Sequence, residues 1–193
     1  MTPRTLHLLR HGAPELPGRL MGRTDGIPTA EGIAACVAKA APLDIAHVVT
    51  SDLLRTRRAA EAIAVVRGLP VGVDGRWREL DFGTWDGLAP EAVDVQALAA
   101  FYDDPEANPP PQGEPWSALV ARVSAAMFAL PAEPVLVVTH GGAIRAALHV
   151  LCGFPQRQLW AFALPCAARI SLQVWPAAHR DEAPTGQITA LVP

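Results

Sequence analysis

Short apolar runs alternate with amphipathic stretches along the 193-residue chain, a pattern that predicts strands and helices in turn. Three runs rich in leucine or β-branched residues, at 5–9, 46–50 and 135–139, predict strands, and the third is apolar enough for the centre of a sheet. Two further runs, at 169–175 and 187–192, predict strands near the end of the chain.

Helical periodicity fills the gaps between these strands. Helices are predicted from 29 to about 40, from 52 to about 67, from 116 to 130 and from 143 to 151. Ser51 precedes the second of them and is expected to cap it. The alternation predicts an α/β fold: a three-layer α/β/α domain with a mainly parallel central sheet and an antiparallel edge. No repeat or linker interrupts it, so residues 1–193 are predicted to form one domain.

Composition narrows the class of protein. Half of the residues are hydrophobic, but no apolar run reaches the length of a membrane span, and no signal peptide opens the chain. We therefore expect a soluble, cytoplasmic protein with no membrane partner. The net charge of −3 argues against a general affinity for nucleic acid, which favours a small substrate. The sequence leaves the oligomeric state open. Cys36, Cys152 and Cys166 have neither disulfide nor zinc spacing and are expected to be reduced.

Two segments with chemically reactive residues follow the first two predicted strands. The first strand runs into Arg10, His11 and Gly12. These residues supply a permanent cation, an imidazole and a position where the backbone can approach a ligand closely. The second strand runs into Ser51, and Arg55 lies in the first turn of the helix that follows. A neutral imidazole can attack phosphorus, and guanidinium groups match phosphate oxygens, so the set is typical of phosphoryl chemistry.

Two more segments add to this set. The central strand ends at His140, followed by Gly141 at the start of a helix, where unpaired backbone N–H groups favour an anion. Glu79 stands just before the segment Asp81-Phe82-Gly83-Thr84-Trp85-Asp86-Gly87. Because ligands in open α/β sheets bind beyond the carboxyl ends of the strands, these residues are expected to converge.

On these motifs the chain resembles the histidine phosphatase superfamily, the family of phosphoglycerate mutase and acid phosphatase, and most of all its small α-ribazole phosphatase-like bacterial branch. The resemblance implies a phosphomonoester hydrolase that works through a phosphohistidine and needs no metal or other cofactor. It implies His11 as the nucleophile and Glu79 as the general acid. It implies that the transferred group is bound by Arg10, Arg55 and His140. Further substrate contacts are expected at Gly12, Arg23 and Gly141.

Some assignments leave an alternative open. Arg58, one turn further along the helix, could take the place of Arg55, and Asp81 could act as the acid in place of Glu79. The basic loop at 19–23 could recognise the non-transferred part of the substrate or could be solvated. The remaining histidines lack such settings and are expected to be structural or surface residues: His7, His47, His149 and His179.

The sequence also departs from the family pattern. Mutases follow Arg-His-Gly with Glu-Ser, where this chain has Ala13-Pro14, and their paired arginines and tyrosine are replaced by the stretch 103–112. Pro115 stands where the family has the serine of a Gly-Glu-Ser segment. These differences favour hydrolysis over mutase activity. The substrate could be α-ribazole 5′-phosphate, a sugar phosphate or another small monoester. A mutase and a non-catalytic phosphoester-binding module remain as alternatives.

Overall fold

The computed structural model describes residues 2–176 and 184–193. These residues form a six-stranded sheet in the order β3-β2-β4-β1-β5-β6. β1, β2, β3 and β4 are parallel, β5 runs antiparallel to β1, and β6 runs antiparallel to β5. The predicted mainly parallel sheet with an antiparallel edge is confirmed. The strands are β1 Arg4–Arg10, β2 His47–Thr50, β3 Val71–Val73, β4 Val135–Thr139, β5 Arg169–Trp175 and β6 Thr185–Val192.

Helices cover both faces of the sheet. The four predicted helices are present with shifted ends. The described α-helices are α1 Ala30–Ala40, α2 Leu54–Arg67, α3 Val95–Asp103, α4 Trp116–Phe128 and α5 Gly141–Cys152. The prediction that Ser51 caps α2 is wrong: Leu53 is the N-cap residue and makes no side-chain cap bond. The Ser51 hydroxyl contacts His140 and Thr56 instead. None of the helices in the described ranges is long and apolar enough to cross a membrane.

The core lies in two layers, one on each face of the sheet. On one face, Leu8 of β1 and Val137 of β4 pack in the cluster that includes residues of α4 and α5. On the other face, Leu9 and Val138 pack in the cluster that includes residues of α1 and α2. Successive strand residues point to opposite faces, so each strand contributes to both layers. Burying a side chain of this size stabilises the fold by roughly 1.5–3 kcal/mol.

Strand register places the candidate site at one edge of the sheet. Arg10 of β1 is paired with Thr139 of β4, and the backbone N–H of His11 donates to the Thr139 carbonyl at 2.8 Å. His11 and His140 therefore leave the sheet side by side. β2 lies on the other side of β4, which brings Ser51 to the same edge. His179 lies outside the described residues.

Candidate active site

His11 is held as a neutral imidazole at the wall of a cavity. Its Nδ1 donates to the carbonyl of Gly12 at 2.8 Å, which leaves the lone pair on Nε2. Burial, together with the charges of Arg10 and Arg55, lowers the pKa of His11 from 6.5 to about 3. The side chain is only 6% exposed, yet it lines the cavity. An uncharged imidazole with a free ring nitrogen is chemically competent for attack on phosphorus.

His140 lies beside His11, with the two ring centroids 5.3 Å apart, so the predicted convergence of the two histidines is confirmed. Its Nε2 is hydrogen-bonded to the Ser51 hydroxyl at 2.9 Å. Burial, and then the charges of Arg55, His11 and Arg10, holds the pKa of His140 well below its usual 6.5. Its Nδ1 is buried and has no hydrogen-bond partner among the described residues.

Two guanidiniums lie close to the histidines. Arg10 lines the cavity, whereas Arg55, like His140, is fully buried and is not among the described lining residues. Arg55 is fully buried, and its two terminal nitrogens donate to the carbonyls of Thr24, Met21 and Gly22 at 2.7, 2.7 and 3.0 Å. Arg10 donates through Nη1 to the carbonyl of Leu164. In both arginines Nε is buried and unpaired within the described chain. Buried polar groups are normally hydrogen-bonded, so these unpaired nitrogens are available to an acceptor-rich ligand such as an anion.

Arg58 differs sharply from Arg55. Its side chain is 57% exposed and pairs with Glu61 at 3.4 Å on the surface of α2. The structure thus brings Arg55, and not Arg58, into charge range of both histidines.

The loop at 21–24 is held by hydrogen bonds to two side chains, those of Arg55 and Asp86. Arg55 binds its carbonyls, as described above. The carboxylate of Asp86 accepts hydrogen bonds from the backbone N–H groups of Gly22, Arg23 and Thr24 at 2.7, 3.1 and 2.7 Å. Sequence reasoning missed Asp86, because its partners lie more than sixty residues earlier in the chain.

Arg23 is turned towards a second carboxylate. Its Nε donates to Asp81 at 3.1 Å, and neither side chain is among the described residues that line the cavity. The structure therefore does not bring Arg23, or the alternative acid Asp81, to His11. Substrate binding by Arg23 stays a prediction, and it would require this ion pair to open.

Glu79 lines the cavity and is held by two backbone groups. Its Oε1 accepts from the N–H of Leu80 at 2.9 Å, and its Oε2 accepts from the N–H of Gly142 at 3.1 Å. The neighbouring arginines are engaged elsewhere, since Arg76 pairs with Asp74 and Arg78 with Asp52. Glu79 is thus a cavity carboxylate fixed against the N-terminal turn of α5.

A partly buried ion pair supports the backbone of Glu79. Arg122 of α4 donates to the carbonyls of Arg76, Arg78 and Glu79 at 2.8, 2.7 and 2.8 Å, and it pairs with Glu114. Its side chain is 17% exposed and that of Glu114 is 13% exposed. This role of Arg122 could not be predicted from the sequence, because the residue pattern of α4 shows only which face is apolar.

The cavity has a volume of about 340 Å³. Its polar part includes Arg10, His11, Glu79 and Gly141, and its apolar part is rich in aromatic rings, among them Phe82, Phe101, Tyr102, Trp116 and Trp160. Gly12 is not among the described lining residues. A Cβ at that position would lie 2.0 Å from the Gly32 carbonyl oxygen, so glycine is required there for the approach of α1.

The other predicted groups have ordinary surroundings. His7 contacts Ser171, His47 pairs with Glu133, and His149 contacts the carbonyl of Phe154. All three cysteines are free, as expected. Within residues 2–176 and 184–193, no cluster of three or more histidine, cysteine, aspartate or glutamate side chains could hold a metal ion.

The fold and the neighbouring histidines and arginines form the arrangement that the sequence predicted for phosphoryl chemistry. The family model of the histidine phosphatase superfamily (branch 1) matches residues 6–180, and the chain belongs to that family. A probable phosphoglycerate mutase, GpmB, of Erwinia tasmaniensis is 32% identical over 162 residues, which is 78% of this chain and 75% of that protein.

Solved structures agree on the fold. The mycobacterial glucosyl-3-phosphoglycerate phosphatase superposes with a TM-score of 0.84 at 26% identity, covering 97% of this chain and 98% of that one. An Escherichia coli protein provisionally assigned as an alpha-ribazole-5'-P phosphatase superposes with a TM-score of 0.81 at 22% identity, covering 98% and 96% of the two chains. The latter likeness concerns the fold alone. Family membership and the likeness to the mycobacterial phosphatase support a phosphatase enzyme.

Proposed function

We propose that this protein hydrolyses a small phosphomonoester through a phosphohistidine at His11. The observation that carries the proposal is the set of three unpaired, buried nitrogens close to a neutral His11: Nε of Arg10, Nε of Arg55 and Nδ1 of His140. A phosphoryl group has the charge and the oxygens to satisfy them. Preorganised donors of this kind stabilise the charge that spreads over the equatorial oxygens in the transition state.

The reaction proceeds in two in-line steps. Nε2 of His11 attacks phosphorus, the P–O bond to the alcohol breaks, and Glu79 gives its proton to the leaving oxygen. Water then attacks the phosphohistidine while the Glu79 carboxylate takes its proton, and the P–N bond breaks to release phosphate. Arg10 and Arg55 supply positive charge and His140 supplies a further donor, so neither step calls for a metal.

The hydrogen bonds of Glu79 fix its position for both steps. Two backbone N–H groups donate to its oxygens and hold the carboxyl group at the wall of the cavity. In the second step the same bonds hold the carboxylate ready to accept a proton from water.

Detection of the covalent intermediate tests the proposal. Rapid acid-free quenching of protein mixed with ³²P-labelled phenyl phosphate is expected to trap an alkali-stable, acid-labile phosphoprotein, which His11→Ala does not form. His47→Ala is the control, because His47 is a surface residue that pairs with Glu133. Phosphoryl labelling or turnover that survives in His11→Ala would refute the proposed mechanism. A protein that hydrolyses no phosphomonoester would instead be the non-catalytic binding module.

The role of Glu79 is tested with two leaving groups. A general acid contributes roughly 10²–10⁴-fold, and the contribution matters most for a basic leaving oxygen. Glu79→Gln is therefore expected to lower kcat/KM, which reports the step in which the alcohol leaves, far more for phenyl phosphate than for p-nitrophenyl phosphate. Glu61→Gln, on the surface of α2, is the control. Equal losses of kcat/KM on both substrates in Glu79→Gln would contradict the acid role.

Mutase activity is the second candidate, because the curated relative of Erwinia tasmaniensis is named a probable phosphoglycerate mutase. Incubation with 3-phosphoglycerate separates the two: a mutase isomerises it, whereas a phosphatase releases inorganic phosphate. Among phosphatase substrates, we propose α-ribazole 5′-phosphate and sugar phosphates as the first to be screened. We also propose that residues 1–193 act as a single domain.

A further inference from the structure

The cavity holds more positive charge than the transferred group requires. Among the described residues that line it, three arginines, Arg10, Arg19 and Arg145, face a single carboxylate, that of Glu79. A phosphoryl group carries close to two negative charges, which Arg10 and the buried Arg55 already match. Arg145 of α5 is therefore a cation without an assigned partner in the chemistry described so far.

Arg145 is held in one orientation. Its Nε donates to the carbonyl of Leu159 at 3.3 Å, and its guanidinium carbon lies 4.4 Å from the ring centroid of Trp160. A cation over an aromatic face is stabilised by the ring. No hydrogen bond or ion pair from the described part of the chain occupies the two terminal nitrogens of Arg145. Burial lowers the pKa of its guanidinium, and Glu79 opposes that shift.

The position of Arg145 favours the leaving group over the transferred group. Trp160, on which it stacks, is 42% exposed and contacts Tyr102, which is 40% exposed, so this wall lies towards the mouth of the cavity. His11, in contrast, is only 6% exposed. The negative charge that most affects Arg145 is that of Glu79, the proposed proton donor to the leaving oxygen. A substrate with phosphorus at His11 therefore extends its alcohol part along Glu79 towards Arg145.

Arg145 also lies near Arg10. A Cβ built on Gly141 would be 3.2 Å from Nη1 of Arg145 and 3.7 Å from Nε of Arg10. Two guanidiniums close to one point of the α5 backbone repel each other, and the repulsion is strong where water is scarce. Anionic oxygens on both parts of a substrate would relieve it.

We propose that Arg145 is a specificity-determining residue that binds a second anionic group, of which a carboxylate is the simplest, on the alcohol part of the substrate. A guanidinium with its edge free can hold a carboxylate through two parallel hydrogen bonds. The inference rests on the proposed phosphatase function and narrows it. It disfavours α-ribazole 5′-phosphate, whose alcohol part carries no second anion.

Two isosteric aryl phosphates test this inference. We expect kcat/KM for 3-carboxyphenyl phosphate to exceed that for 3-carbamoylphenyl phosphate by about tenfold or more, the effect of one charge-assisted interaction. Arg145→Met is expected to remove this preference, with a much larger loss on the carboxylated substrate than on its amide. Arg145→Lys should keep part of the preference, since it retains the charge but not the planar fork. Arg58→Met, which removes a surface arginine, should keep all of it.

Three outcomes overturn the inference. Wild-type protein without a preference for the carboxylate would exclude a second anion site. Equal losses of Arg145→Met on both probes, in protein with wild-type circular dichroism, would mean that Arg145 serves the transferred phosphoryl group. If neither probe nor p-nitrophenyl phosphate is hydrolysed, the proposed function fails. In that case, calorimetry can measure the dissociation constants of the two probes for wild-type protein and for Arg145→Met. If the ratio of the two dissociation constants is the same in both proteins, the proposed role of Arg145 is refuted.

Discussion

Replacement of Arg122 by methionine tests how the fold holds the proposed acid in place. Methionine keeps much of the apolar stem but removes the donors to three carbonyls and the ion pair with Glu114. Breaking a buried ion pair costs about 3–5 kcal/mol. Because both side chains retain some exposure, 17% and 13%, we expect a loss towards the lower end, about 3 kcal/mol, in the free energy of unfolding.

The kinetic effect is expected to be separate from the loss of stability. Without Arg122 the backbone at Glu79 is free to shift, and a displacement near 1 Å can cost about 10²-fold in rate. We expect kcat/KM for phenyl phosphate to fall by roughly 10- to 100-fold, with a much smaller fall for p-nitrophenyl phosphate, which depends less on an acid. Inhibition by inorganic phosphate should change little, because Arg10, Arg55 and His140 are not altered.

The assay combines urea unfolding with steady-state kinetics on both substrates at a temperature where the variant is folded. Arg67→Met is the matched control: Arg67 also donates to main-chain carbonyls, those of Ala41 and Leu43, and has no link to Glu79. Arg67→Met should lose stability without a change in the ratio of kcat/KM between the two substrates. A folded Arg122→Met with the wild-type ratio would refute the positioning role of Arg122.

Three further predictions concern the histidines and the glycine contact. An unfolded histidine takes up a proton near pH 6.5, but folded His11 does so only near pH 3, so the protein loses stability as the pH falls from 6.5 to 3. His11→Asn should therefore reduce the slope of unfolding free energy against pH in this range by up to about 1.4 kcal/mol per pH unit. Ser51→Ala should weaken inhibition by inorganic phosphate about tenfold, because His140 loses the partner of its Nε2. Gly12→Ala should destabilise the fold by about 3 kcal/mol or more in urea unfolding, since its Cβ would overlap the Gly32 carbonyl.

For each of these three predictions, a specific outcome would contradict the reasoning. Parallel pH–stability curves for wild-type protein and His11→Asn would show that His11 is not held neutral by the fold. Unchanged phosphate inhibition in Ser51→Ala would mean that the hydroxyl does not orient His140. Gly72→Ala is the control for Gly12→Ala, because a Cβ at Gly72 meets its nearest atom at 3.7 Å, an ordinary contact. Equal stability of these two alanine variants would refute the steric argument.

Local patterns were enough to predict most of the elements. The apolar runs of β1 and β4 and the helical rhythm of α4 arise from burial on a face, which repeats with the period of the element. The short strand β3, three residues with Gly72 at its centre, and the helix α3 were missed. β3 is too short for a period to be visible, and it forms because β2 offers it hydrogen bonds.

The sequence by itself determined the alternating α/β order and the reactive residues at strand ends, because hydrophobic period and motif spacing are properties of neighbours along the chain. Only the tertiary structure decided which polar groups meet. The parallel register of β1 and β4 puts His11 beside His140, and the packing of α4 and α5 brings Arg122 under Glu79 and Arg145 to the cavity. Those contacts join segments far apart in the chain, and their pairing follows from packing the whole core rather than from any local pattern.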